Sequence, residues 1–411
     1  MPPTILRAAA AWTARDGAVV APAELHVEDR RIAWIGRQGE RPAPEGAAVI
    51  DLGGLWLVPG FVDAHLHLWG LDHAEPSALW NWPMAYRTAR AAAELRALLD
   101  GGITAVRCCG GPLGPSLARA VREGALPGPH IVAAGDFVCS RAGTWDQALW
   151  PLEWVERLGI LADGPEEIRR RVRERLRQGA DFLKVGGSVG EHSDALRPWG
   201  NDPARLRLAW SDEELRAAVE EAHRNHLPVA THAIGEEAVR QALDAGVDSI
   251  EHGHGIGEET ARRMADLGTW LVPTLSLPAL RAAGAPPAIA MGWRRHREVQ
   301  RRSIEVALRH GVRIAAGTDF VGPPITPLGP DAMEMEWLVE AGMPAEQALL
   351  AGTAHGAAAI GLGARTGALA AGLEADILGL PGDPRRDISL VRRVAFVMRG
   401  GAVWRGVPAA G

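Results

Sequence analysis

The 411-residue chain carries a formal charge of −6, is 47% apolar and contains no low-complexity tract, so it is read as globular, with no basic stripe for nucleic acid. No apolar run approaches the roughly 20 residues of a membrane span, and the start, MPPTILRAAAAWTARDG, lacks a cationic segment followed by an adequate apolar run. A cytoplasmic protein with a small-molecule partner and no membrane or nucleic-acid partner is expected, with a homo-oligomer left open.

Residues 4–58 hold short alternating segments, such as ELHVEDRRIAWIG and AAVIDLGG, separated by Gly and Pro, which is the texture of half-buried strands and turns. The texture then changes. Apolar runs ending near His65, Arg107, Gly135, Lys184, His232, His252, Thr274 and Asp319 are each followed by loop residues and a helical pattern. The clearest helices are YRTARAAAELRALLD, PEEIRRRVRERLRQG, SDEELRAAVEEAHRN and EEAVRQALDAG; Ser211 with Glu214 predicts a capping box on the third. From residue 365 the strand texture returns in ADILGL and RRVAFVMRGGAVWRG, with Gly400 and Gly401 as a hairpin turn. Eight strand–helix units predict an α/β fold, a (β/α)8 TIM-type barrel over residues 59–364, whose active site forms at the carboxyl ends of the strands. Since chain ends often lie close together, residues 1–58 and 365–411 are expected to build one small β-sandwich module.

Along this order the chemistry collects at one level. In VDAHLHLWG, His65 and His67 stand two apart, so on a strand they share a face, and two imidazoles there suit a divalent ion. Lys184 in DFLKVGG, His232 in LPVATHAIG, His252 in DSIEHGHG and Asp319 in VRIAAGTDF end other predicted strands. Lys184 is also the only lysine among 44 lysines and arginines. A lysine kept where arginine serves every other basic role suggests an amine that must lose its proton, which a guanidinium cannot do. The three cysteines, Cys108, Cys109 and Cys139, lack a zinc-type or redox spacing and suggest no disulfide scaffold.

PGFVDAHLH, the strand-four Lys184, THAIG, SIEHG, AAGTD and the closing GALAAGLEADILGL resemble, in order, the motifs of the amidohydrolase superfamily, nearest its imidazolonepropionase-related and Xaa-Pro dipeptidase-like branch. The resemblance covers nearly the whole chain. It implies a binuclear hydrolase in which His65, His67 and Asp319 hold one metal ion and His232 and His252 the other, while Lys184, carboxylated by carbon dioxide, bridges them. Zinc suits the mixed imidazole and oxygen donors, and manganese or cobalt would be tolerated. A metal-bridging hydroxide would attack an amide-type C–N bond (amide, peptide, carbamate or lactam), and Asp319 would move its proton to the departing amine.

The chain departs from the dipeptidase-like pattern in three places. Cys108 follows the second-strand arginine where an acid usually stands, Gly143-Thr144-Trp145 replaces a Gly-Gly-His, and Ile234 replaces an aromatic residue or histidine two beyond the strand-five histidine. Whether dipeptides are substrates is therefore left open by the resemblance. The loops hold Trp69, Trp80, Trp82, Trp145, Trp150, Trp154 and Trp199 instead. Aromatic walls favour a flat or bulky apolar substrate, for which Trp69, Trp145 and Ile234 are candidate contacts and Arg141 a candidate carboxylate receptor. Two other readings compete: a mononuclear deaminase on the same barrel, against which Lys184 counts, and a non-catalytic binding protein, against which the full set of six residues counts.

Overall fold

The computed structural model describes residues 2–15, 17–73, 78–146, 150–189 and 207–406. Its centre consists of two parallel sheets. One has the order His130–Ala133, Ile103–Cys108, Phe61–Leu66; the other runs Leu183–Gly186, Val229–Ile234, Ser249–His254, Trp270–Val272. These strands are buried along almost their whole length, as parallel strands covered on both faces must be, and helices follow them in sequence.

Backbone bridges join the two sheets on both sides. Val138 pairs with Val185, Leu271 with Ile314, and Leu66 with Phe320. The eighth apolar run is thus held by isolated bridges and not as a regular strand. Gly317 explains part of this: a Cβ there would meet the His65 backbone nitrogen at 2.8 Å, so the chain passes too close for any other residue.

The four helices named from sequence are present as Met84–Asp100, Pro165–Gln178, Asp212–Arg224 and Glu236–Ala245. Ser211 Oγ accepts the Glu214 amide while Glu214 bonds back to the Ser211 backbone, the reciprocal pair that satisfies two amide donors at a helix start. Ser211→Ala is expected to cost about 1 kcal/mol locally and to speed exchange of the Glu214 amide about fivefold. Unchanged protection in hydrogen exchange would mean the cap contributes nothing.

The chain ends meet. Ile377–Leu380 pairs antiparallel with Trp56–Pro59, joining the carboxyl-terminal strands to the amino-terminal ones in a six-stranded sheet. A second sheet, of four strands, comes from residues 4–51. Leu6, Leu25 and Ile32 from the four-stranded sheet share a buried cluster with Leu57, Ile377 and Phe396 from the six-stranded one. Gly400 and Gly401 turn the last hairpin at φ of 54° and 77°, left-handed values that a side chain would resist.

Candidate metal centre

His65 ends the Phe61–Leu66 strand, His67 follows it, and Asp319 stands at the end of the eighth run. Their ligand atoms converge: His67 Nε2 lies 3.0 Å and His65 Nε2 3.4 Å from Asp319 Oδ1, and the three side chains offer atoms all within 4.8 Å of one another. The other ring nitrogens are held from behind. His65 Nδ1 lies 2.6 Å from Glu251 Oε2, and His67 Nδ1 donates to Gly110 O at 3.2 Å. With each Nδ1 bearing the proton, both Nε2 lone pairs face a carboxylate oxygen in a buried place. That arrangement is repulsive by itself and fits a cation between the three atoms, with second partners orienting each imidazole.

Electrostatics agree. Burial, with the Lys184 charge adding to it, lowers His65 to about 4, so the imidazole is neutral at physiological pH. His252 is pushed well below its ordinary value by burial and by His232 and His65. Burial alone would raise the Asp319 carboxyl; positive charge on His65, His67 or Lys184 lowers it below the usual carboxylate range, and with the imidazoles neutral a cation between the three atoms would supply that charge instead. Neutral imidazoles beside a carboxylate are a divalent-metal donor set.

The other three predicted residues come to the same place. The His252 ring lies 5.2 Å from that of His65 and 4.5 Å from that of His232. Phe182 and Ala230 cluster with Cys109 and Ala134 in the interior, so by two-residue alternation Lys184 and His232 face the interior one layer higher. Lys184 is 6% exposed, and its charge acts on His65, His252 and Asp319.

Alternation does not explain His252. Its neighbour Glu251 already points inward to His65, so a regular strand would turn His252 away. A left-handed backbone at His252, φ 70°, redirects it, and Thr274 (φ 55°) meets its Nδ1 at 2.8 Å; Asp319 is left-handed too, at 59°. Three non-glycine residues in this costly conformation at one rim mark a site the surrounding fold holds in place.

Sequence reasoning missed the residues beneath. Arg107 donates to Glu251 Oε1 at 2.6 Å, to Ser249 Oγ at 3.0 Å and to Ala64 O at 2.6 Å, so Glu251 is held between the guanidinium and His65. Burial would raise Glu251, yet Arg107 and His65 hold it well below the usual carboxylate range. Asp63 Oδ1 accepts the His65 amide at 2.8 Å and its Oδ2 the Thr318 hydroxyl at 2.6 Å, tying His65 to the residue before Asp319. The only local signals were the charged residues Asp63, Arg107 and Glu251 inside three of the apolar runs.

The substrate-side candidates divide. Trp69 is 3% exposed, donates Nε1 to Gly110 O at 2.6 Å and packs 4.7 Å from the His67 ring, so it supports the histidine. Trp145 stands partly exposed, 5.0 Å from Trp69 and 6.5 Å from His67. Ile234 is fully buried against Val189. Arg141, expected as a carboxylate receptor, is instead committed to Asp163 at 2.6 Å and Glu156 at 3.1 Å. Trp80 packs on Trp150 and Trp154, and Trp82 on Tyr86; Trp199 lies outside the described residues. Burial raises the Cys108 and Cys109 thiols, so neither is a thiolate nucleophile.

Known proteins share this arrangement's fold. Ochratoxinase of Aspergillus niger is 30% identical over 423 aligned residues, covering 95% of this chain and 84% of that one. The crystal structure of A. niger ochratoxinase has a TM-score of 0.87 at 28% identity, covering 100% of this chain and 97% of the other. A prolidase complexed with N-methylphosphonate-L-proline has a TM-score of 0.86 at 28% identity, covering 98% and 100%. The model of the amidohydrolase family matches residues 56–403. With its family motifs in order and most of its length matched, the chain belongs to the amidohydrolase family.

Proposed function

We propose that this amidohydrolase is a binuclear metal-dependent hydrolase cleaving an amide-type C–N bond of a hydrophobic or aromatic small molecule. The observation that carries the reading is the convergence of His65, His67 and Asp319, with each Nδ1 held from behind. The architecture that goes with this reading is a (β/α)8 barrel over residues 59–364 and a β-sandwich from residues 1–58 and 365–411, supported by the bridges between the two parallel sheets and by the buried cluster that the two outer sheets share.

In this reading His65, His67 and Asp319 would hold one divalent ion, His232 and His252 would hold a second, and Lys184, carboxylated by carbon dioxide, would serve as a ligand to both. Zinc suits the donors, and manganese or cobalt would also fit. When bound, the ions supply Lewis-acid polarisation of the carbonyl and lower the pKa of a shared water. The protein's own groups do the rest. Asp319, ionised, accepts the water proton and passes it to the leaving amine. Glu251 and Gly110 fix the imidazole tautomers. Trp145, the partly exposed indole next to His67, is the substrate's apolar wall. Arg141 and Ile234 have no part in it. The relatives named ochratoxinase and prolidase are hydrolases, which favours an amide-type bond here.

The test is a panel of aryl amides, carbamates and N-acyl amino acids on the zinc-loaded protein, with liberated amine, carboxylate and ammonia measured together. Amine release from aromatic amides is expected; ammonia release from a ring substrate with no amide cleavage would move the reading to a deaminase. Trp145→Ala is expected to raise KM for an aryl amide about fivefold with kcat little changed, since a stacked ring contributes roughly 1 kcal/mol in ground and transition state alike. Equal KM for wild type and variant would remove Trp145 from the pocket.

A further inference from the structure

A cavity of about 700 Å³ lies at the opposite ends of the strands from the metal-ligand cluster. His130 begins a central strand, and Phe182 and Pro228 stand just before two others, so the cavity sits at their amino ends. The other wall comes from the last hairpin, with Arg399, Val403 and Trp404. Conservation aside, this end of such a fold ordinarily serves stability alone, yet its chemistry here is that of a receptor.

Arg30, Arg122, Arg365 and Arg399 all line it. Of these, Arg365 is paired with Glu374 at 2.6 Å, while Asp376 accepts Thr366 Oγ1 and the Gly400 amide, each at 2.8 Å; the lining acids Glu123 and Asp181 accept from Arg119 and from the Ala133 amide. Arg399 Nε is buried without a hydrogen-bond partner among the described residues. Its nearest carboxylate contact, to Glu374, is long at 3.9 Å. Burial and the like charges of Arg30 and Arg365 bring this guanidinium below its ordinary range, although Asp376 and Glu374 act against that. The buried Nε–H of Arg399 is thus a donor with room for an anion's oxygen. His130, Glu374 and Asp376 also offer atoms within 4.8 Å of one another, but Arg365 and Arg399 against Glu374 oppose a divalent cation there. Phe182, Ile131, Ile360 and Leu362 give the rest of the lining an apolar part, beside the polar Arg107, Glu123, His130 and Asp181.

We propose that this cavity binds a small amphipathic carboxylate, its head on Arg30 and Arg399 and its apolar body against Phe182, Ile360 and Leu362. Guanidinium is the group that grips a carboxylate with two parallel donors, and the volume falls in the range of roughly 300–1,000 Å³ that such ligands occupy. The proposal does not rest on the reaction proposed for the metal centre, although Arg107, which holds Glu251 beneath His65, also lines this cavity.

Calorimetric titration of the full-length, zinc-loaded protein with benzoate and with hexanoate tests this, using benzamide as the neutral counterpart. The titration is repeated after chelation, so that a carboxylate held by the metal centre is recognised. One saturable site for both acids is expected, unaffected by chelation, absent for benzamide, and weakened about tenfold or more in Arg30→Ala and Arg399→Gln. Arg30 is exposed on a turn, so its variant keeps the fold and decides the matter if Arg399→Gln does not fold. No saturable binding, binding that disappears on chelation, equal binding of benzamide, or undiminished affinity in Arg30→Ala would each overturn the proposal.

Discussion

Lys184→Arg is expected to lower kcat/KM on an aryl amide about a thousandfold, equivalent to about 4 kcal/mol of transition-state stabilisation, and to leave clearly fewer than two zinc ions per chain. The arginine keeps the positive charge on a somewhat longer side chain at a position that is 6% exposed, but a guanidinium cannot lose its proton to take up carbon dioxide. The comparison is metal content per chain, with both proteins purified in bicarbonate and zinc. Lys184→Ala sharpens it, because acetate can enter the space and present two oxygens. Partial recovery by acetate would locate the defect in the missing bridge and not in folding. Two metals and full activity in Lys184→Arg would end the carbamate reading.

Glu251→Gln is expected to destabilise the protein by about 3–5 kcal/mol and to weaken metal binding about 10- to 100-fold. Glu251 is fully buried between Arg107 and His65, at 2.6 Å from each. An amide of the same shape leaves the Arg107 guanidinium buried without its counter-charge, and removing one partner of a buried pair costs far more than the pair contributes. It also leaves one acceptor oxygen for two donors, Arg107 and His65, and no carboxylate charge to fix the His65 ring. The double variant Glu251→Gln with Arg107→Met separates the two effects. Stability should largely return, since no uncompensated charge remains, while metal affinity should stay low because His65 still lacks its carboxylate. Recovery of both together would mean that Glu251 acts on the metal centre only through folding.

The local pattern carried much of this. His65 and His67 two apart at the end of an apolar run, Lys184 alone among arginines, and His232, His252 and Asp319 at other run ends placed the candidate donors at one rim, because side-chain alternation and strand length are local properties. The capping residues Ser211 and Glu214 and the Gly400-Gly401 turn were legible for the same reason. Arg141 was not: an arginine near a loop tryptophan looks the same in sequence whether it meets a ligand or, as here, Asp163 and Glu156.

By itself the sequence determined the kinds of donor and their level in the fold. Only the tertiary structure decided how they meet. Asp319 reaches the histidines across a junction made by bridges and by the close passage at Gly317; Glu251 lies beneath His65 through the pairing of strands distant in the chain; and His252 points inward against alternation because its backbone is left-handed. The physical reason is that register across a sheet and a left-handed φ at a non-glycine residue are stabilised by the whole surrounding packing, which no short stretch of sequence records.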